Sequence, residues 1–276
     1  MYFKRRELRA RKASEQDNIV IASRTYGGEL YHIAMSFIDL PYKKLAFTQT
    51  ASDEYMYKLL KLNADWVINI DEDAFVLSNR ELVNLLHFMQ DNEYDFCGMS
   101  DSGPMRGANP IAMNPYFNIF NMGKIRKSFH FYKNLYPHLI LKSLYLALVP
   151  ARRTMMQQIL ISALGHRKLP LSYILMSQIS SCTFNGKPKQ FIPSNLMCDW
   201  RRFLDYEPYY PFFYWLLKEG FRPLYLDAQI WEDNMSVMLH SYDNRPLLIH
   251  CWLAREWSLQ KERFNRVIDY CRSTQS

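Results

Sequence analysis

No aspartate or glutamate occurs between Asp101 and Asp199, although that interval holds twelve lysines and arginines. A basic stretch of this length without compensating acids attracts anions: lipid head groups, phosphates or nucleic acid. A solvated basic surface is the plainer alternative. Cysteine is also sparse. Cys97, Cys182, Cys198, Cys251 and Cys271 are odd in number, scattered, and form no Cys-x-x-Cys pair. That argues against a disulfide framework or a zinc site and fits a reducing compartment. No apolar run reaches the roughly 20 residues a membrane span needs. The best, Leu139 to Val149, is too short and carries Lys142. Met1-Tyr2-Phe3 leads straight into Lys4-Arg5-Arg6, so no secretory leader is expected, and the location expected is cytoplasmic, with peripheral attachment to a membrane as an option.

What is present is an ordinary globular composition, rich in aromatics, at a length of 276 residues and a net charge of +7. No internal repeat or linker interrupts it, so one domain over 1–276 is expected, with a basic, partly helical insertion at about 122–198. Apolar runs at Asn18–Ser23, Leu45–Thr48, Trp66–Ile70 and Tyr94–Met99 read as strands. Helical spacing lies between them: Glu29 to Phe37, Ser52 to Asn63 with Ser52 as its start, and a helix opened by the capping box Ser78-Asn79-Arg80-Glu81. This alternation predicts an α/β fold with a mostly parallel sheet flanked by helices. Later, Pro208 and Gly220 bracket a helix over Tyr209–Glu219, an extended segment runs Phe221–Leu226, and Leu247–Trp252 is the last strand-like run. A terminal helix from about Arg255 closes the chain. Residues 135–164 look helical, and the Asn114–Asn121 run alternates amides with aromatics.

The chain is organised around Trp66-Val67-Ile68-Asn69-Ile70-Asp71-Glu72-Asp73. Side-chain alternation along a buried strand running into acids would place Asp71 and Asp73 on one side. Two neighbouring carboxylates repel each other, and a hard divalent cation such as Mn2+ or Mg2+ would offset that cost. In mostly parallel sheets, ligands collect beyond the carboxyl ends of the strands, where this pair lies.

With these residues in place, the chain resembles the GT-A glycosyltransferases, whose Rossmann-like sheet carries an Asp-x-Asp at a strand end. The resemblance covers about two-thirds of the sequence, residues 18–121 and 200–257. It implies that Asp73 ligates the metal and that Asp71 contacts the metal through water, the ribose or the sugar. The segment Glu207 to Leu226 looks like the late segment of inverting, family-2-like members, in which an acid ahead of a helix removes the acceptor proton. Where that family shows Glu-Asp, this chain has Asp205-Tyr206-Glu207, so Glu207 is the candidate base and Asp205 the second choice. A late histidine closes the metal site in many members; His250 is the candidate here, with His240 as fallback and a structural core role as the alternative. Arg255 would reach the diphosphate. Arg24, Tyr26 and Asp53, after the first two strands, are the positions expected to hold the nucleotide, and Arg106 and Asn118 those near the acceptor.

The implied partners are a UDP- or GDP-sugar donor, a glycan or lipid-linked acceptor and a membrane surface; no recognised nucleic-acid module is present. Two other readings stand beside this one. A haloacid-dehalogenase-type phosphatase also opens on an apolar strand and Asp-x-Asp, but its motif is normally followed by other residues than Ala74-Phe75. A non-enzymatic anion- or membrane-binding protein would use the basic middle and treat the acids as structural.

Overall fold

The computed structural model describes residues 17–105, 109, 111–129, 207 and 209–275. Most of the expected basic insertion, the helices expected within 135–164, Arg106 and Asp205 lie outside the described residues.

The chain is a mixed α/β protein. Strands β1 (Ile19–Thr25), β2 (Lys43–Thr48), β3 (Trp66–Ile70), β5 (Phe96–Ser100), β6 (Met113–Asn121) and β7 (Pro223–Leu226) form one sheet in the order β2-β1-β3-β6-β5-β7. Pairings β1–β2, β1–β3 and β5–β7 are parallel, while β6 runs against both its neighbours. A second sheet, wholly antiparallel, joins β4 (Ala74–Val76), β10 (Pro246–Cys251), β9 (Ser236–His240) and β8 (Ala228–Ile230) in that order.

Alternation along β3 divides the core. Trp66, Ile68 and Ile70 join a cluster with Leu82, Leu85, Leu86 and Met89 of α3 (Asn79–Asp91). The same cluster takes in α1 (Glu29–Ser36), the second sheet and Phe264, Val267 and Ile268 of the last helix. Val67 faces the other way, against Tyr55, Met56 and Leu59 of α2 (Ser52–Leu59). All five β3 side chains are buried. At roughly 1.5–3 kcal/mol for each large apolar one, this strand is fixed by solvent exclusion on both faces.

The Asn114–Asn121 run of alternating amides and aromatics is strand β6. Asn69 Nδ2 donates to the Pro115 carbonyl (2.6 Å) and to Asn118 Oδ1 (3.3 Å), and Asn118 Nδ2 donates to the Cys97 carbonyl (3.3 Å). Asn118, expected near the acceptor, is therefore an interior sheet residue. Gly98 is required opposite it: a Cβ there would lie 2.3 Å from Asn118 Nδ2. Pro115 cannot donate to a ladder, and the register of β6 against β5 shifts between Gly98 and Ser100.

Among the described residues the remaining α-helices are α4 (Met122–Ile125), α5 (Tyr210–Lys218) and α6 (Lys261–Gln275). The last helix begins later than the expected Arg255, because Leu253 takes a left-handed φ of 76° and Ala254–Glu256 forms a separate 3-10 turn. Ser52 is the first residue of α2, the start expected for it, and Ala51 occupies the cap position. Ser78 does cap α3, accepting from the Glu81 amide at 3.2 Å. Glu81 does not complete the box; its carboxylate takes Arg245 at 2.9 Å instead. Ser78→Ala should cost about 1 kcal/mol, measurable by urea unfolding; no loss would mean that the cap contributes nothing beyond the helix it precedes. Among the described residues no helix is long and apolar enough to cross a membrane.

Candidate active site

A cleft of about 630 Å³ opens beyond the carboxyl ends of β1, β2 and β3, where the two sheets meet. It gathers Arg24, Tyr26, Asp71, Asp73, Glu207, His250 and Arg255 from four separate stretches of chain. Asp53 lies in the first turn of α2, beside Ser52, which lines the cleft. His240 ends β9 opposite Pro246, at the other end of β10 from His250.

The acids sit in a turn rather than on the strand. β3 stops at Ile70, and the Ala74 amide donates to the Asp71 carbonyl at 3.1 Å. Neighbours hold this turn from both sides: the Asp71 amide donates to Tyr116 (2.9 Å), and the Cys251 amide donates to the Asp73 carbonyl (2.8 Å). Both aspartates line the cleft through the turn's folding, and strand alternation is not the reason. Glu72 lines it too.

Three carboxylates in sequence, each less than a tenth exposed, carry a large electrostatic cost. Arg24 Nη2 offsets part of it, at 2.8 Å from Asp71 Oδ2. Burial pushes the Asp71 carboxyl up to about 6 against the pull of Arg24, and the charge of Asp73 adds to the push. The Arg24 guanidinium is correspondingly held charged, chiefly by Asp71. His250 Nε2 stands 3.3 Å from Asp73 Oδ1. Its ring is clamped, stacked on Tyr116 with centroids 4.0 Å apart and packed against Trp252 at 4.5 Å.

Two buried atoms of this set have no hydrogen-bond partner among the described residues: Asp71 Oδ1 and His250 Nδ1. Among the described residues no three side chains of metal-ligating type already converge as ligands. The unpartnered Asp71 oxygen, close to the Asp73 carboxylate, is the kind of atom a hard divalent cation would satisfy.

The opposite wall comes from β6 and the approach to α5. Asn114, Pro115 and Tyr116 line the cleft. Asn114 Nδ2 donates to Asp101 Oδ1 at 2.6 Å, and the Tyr210 hydroxyl donates to Asp101 Oδ2. The fully buried Asp101 thereby ties β6 to the start of α5. Glu207 precedes that helix, its carbonyl accepting from the Tyr210 amide at 3.0 Å. Across the mouth, Arg255 Nε donates to the Tyr26 hydroxyl at 2.8 Å. Sequence reasoning did not select Glu72, Asn114, Tyr116 or Trp252; only the aromatic–amide alternation before Asn121 hinted at any of them.

No family model matches the chain, and no curated protein matches it in sequence. Among solved structures, the mannosyltransferase PcManGT from Pyrobaculum calidifontis, in complex with GDP-Man and Mn2+, aligns at 11% identity and a TM-score of 0.32. That alignment covers 41% of this chain and 47% of the other, so the chain spans about half of that protein. A glycosyltransferase involved in glycosylation of the major capsid of PBCV-1 aligns at 13% identity and a TM-score of 0.32, over 44% of this chain and 68% of that one. TarS from S. aureus, residues 1–349, aligns over 83% of this chain and 98% of its own, at 11% identity and a TM-score of 0.30. Likenesses this loose carry no argument about what this chain does. Its chemistry is argued from the cleft.

Proposed function

We propose that this protein is a metal-dependent glycosyltransferase with a GT-A-like fold, moving a sugar from a UDP- or GDP-sugar to a glycan or lipid-linked acceptor. The observation that carries the reading is the convergence of a buried aspartate pair, an imidazole, two arginines and a separate glutamate on one cleft at the strand ends. Asp71, Asp73 and His250 would hold Mn2+ or Mg2+. Such an ion supplies positive charge opposite the leaving diphosphate.

The chain's own residues divide the remaining tasks. Arg24 and Arg255 add fixed positive charge where the diphosphate separates from the sugar. Tyr26, with Gln49, Thr50 and Ser52 on the neighbouring wall and Asp53 beside them, bounds the nucleotide end. Glu207 takes the acceptor hydroxyl's proton as that oxygen attacks the anomeric carbon from the face opposite the diphosphate, so the product is inverted. The acid-free basic interval would favour an acceptor presented at an anionic membrane face, as in assembly of a surface polysaccharide from the cytoplasmic side.

The test is a thermal-shift screen of UDP- and GDP-sugars with and without Mn2+. A matching donor at a hundred times its Kd should raise Tm by roughly 5 °C or more, and only with the metal. Hydrolysis of p-nitrophenyl phosphate without turnover of any nucleotide sugar would replace this reading with the phosphatase.

A further inference from the structure

The middle acid of the turn has a different set of partners from the two beside it. Glu72 is 4% exposed. Its Oε2 accepts the Thr25 hydroxyl at 2.5 Å, and the Tyr26 amide donates to both carboxylate oxygens, at 3.0 and 3.1 Å. Thr25 Oγ1 in turn accepts from the Gly27 amide at 2.8 Å. The last residue of β1 and the two that follow it are thus folded around one carboxylate. Gly27 takes a φ of +81°, which glycine adopts without strain.

That loop delivers Tyr26 to the cleft mouth. Tyr26 is 66% exposed, too open for packing to fix it. Its hydroxyl nevertheless accepts from Arg255 Nε, 229 residues away in sequence. Arg255 follows the left-handed Leu253 in a segment that lines the opposite side of the same cleft. The bridge across the mouth therefore depends on where the Thr25–Gly27 loop is held, and Glu72 holds it.

We propose that Glu72 is a positioning residue: it locks the Thr25–Gly27 loop to the acid turn and so sets the Tyr26–Arg255 bridge over the diphosphate position. The link to donor binding rests on the glycosyltransferase reading; the lock itself does not. Because the turn carrying Asp71 and Asp73 and the loop carrying Tyr26 share this carboxylate, the cation-facing floor and the bridged mouth of the cleft keep a fixed spacing.

The experiment has two arms. In hydrogen exchange on the full chain, Glu72→Ala should speed exchange of the Tyr26 and Gly27 amides at least tenfold. Glu72→Gln, which keeps one acceptor oxygen, should change it less. Unchanged exchange in Glu72→Ala overturns the lock, whatever the protein binds. The second arm measures Kd for UDP and for GDP with Mn2+ in Glu72→Ala, Tyr26→Phe and the double variant. Each single change should weaken binding by roughly tenfold, and the double variant should be no weaker than the worse single within about twofold, because both act through one bridge. Losses that multiply would overturn action through Tyr26. If wild type binds neither nucleotide, the functional reading falls and the exchange arm still decides the lock. Should Glu72→Ala not fold, Thr25→Val removes the hydroxyl link and enters the same comparison.

Discussion

Asp73→Asn is expected to lower transfer from the matching nucleotide sugar by roughly 10²–10³-fold, the loss typical of removing one charge-organising group from an active site. The same change should leave Tm level or slightly raised. Its backbone role survives, since the Cys251 amide bonds to the Asp73 carbonyl and not to the side chain. Among the described residues the side chain lies against His250 Nε2 at 3.3 Å, a contact an amide oxygen still accommodates. Against that small loss stands the removal of a negative charge that helps push the Asp71 carboxyl up. Initial rates with Mn2+ beside melting curves separate the two effects. A variant that keeps its rate within a few-fold would sink the cation-binding role for this pair; one that unfolds would make the acids structural.

The second large effect is on stability. Arg263 looks like a surface residue of a polar terminal helix, yet its side chain is only 9% exposed. Nη2 donates to the Trp252 carbonyl at 2.6 Å, Nη1 to Ser236 Oγ at 3.1 Å, and Nε to Gln260 Oε1 at 2.7 Å. The Asp233 carboxylate lies 3.5 Å from Nη1. Arg263→Met keeps the length and removes the charge, leaving a buried carboxylate without its cation. A loss of about 3 kcal/mol is expected, the lower end for a broken buried pair because Asp233 keeps its bonds to Met235 and Ser236. Urea unfolding measures it, and a loss below about 1 kcal/mol would mean the network is no stronger than a surface ion pair.

A pH signature accompanies that loss. Burial alone pushes the Asp233 carboxyl up, but the Ser236 hydroxyl, the Met235 and Ser236 amides and the Arg263 charge together hold it below its ordinary 3.8. A folded-state value below the unfolded one contributes stability that is complete well above pH 3.8 and fades as the pH falls through the lower folded value. Arg263→Met removes one of the groups holding it down, so its acid unfolding should begin at higher pH than in wild type.

What the sequence made legible was whatever local physics decides. The run Trp66–Ile70 is apolar enough to be an interior strand wherever it sits, and acids after such a strand signal a site. The helices α1, α3 and α5 announce themselves by spacing and by their ends. Of the second sheet only β10 was legible, as the Leu247–Trp252 run; β4 is three residues long and is held by pairing with β10 from the far end of the chain. The strand β6 was hidden by its own amides. Amides are uncommon in an interior strand, but here the interior provides Asp101, Asn69 and Cys97 as partners for Asn114 and Asn118. Asp71 and Asp73 reach one cleft by a turn held by Tyr116 and Cys251, neither adjacent in sequence, and not by the strand alternation expected. Arg263 could not be placed by pattern, because its partners come from β9 and from Trp252, after β10.

Only Asp71, Glu72 and Asp73 separate the end of β3 in one sheet from the start of β4 in the other. A fully extended chain over that interval reaches at most about 14 Å, and here it is drawn into a tight turn. The two layers are therefore leashed at the cleft floor, which cannot widen far. Because Glu72 ties the Thr25–Gly27 loop to that floor, breathing of the mouth falls to the opposite rim, the Trp252–Leu259 corner, and a donor of the proposed class would enter and leave on that side.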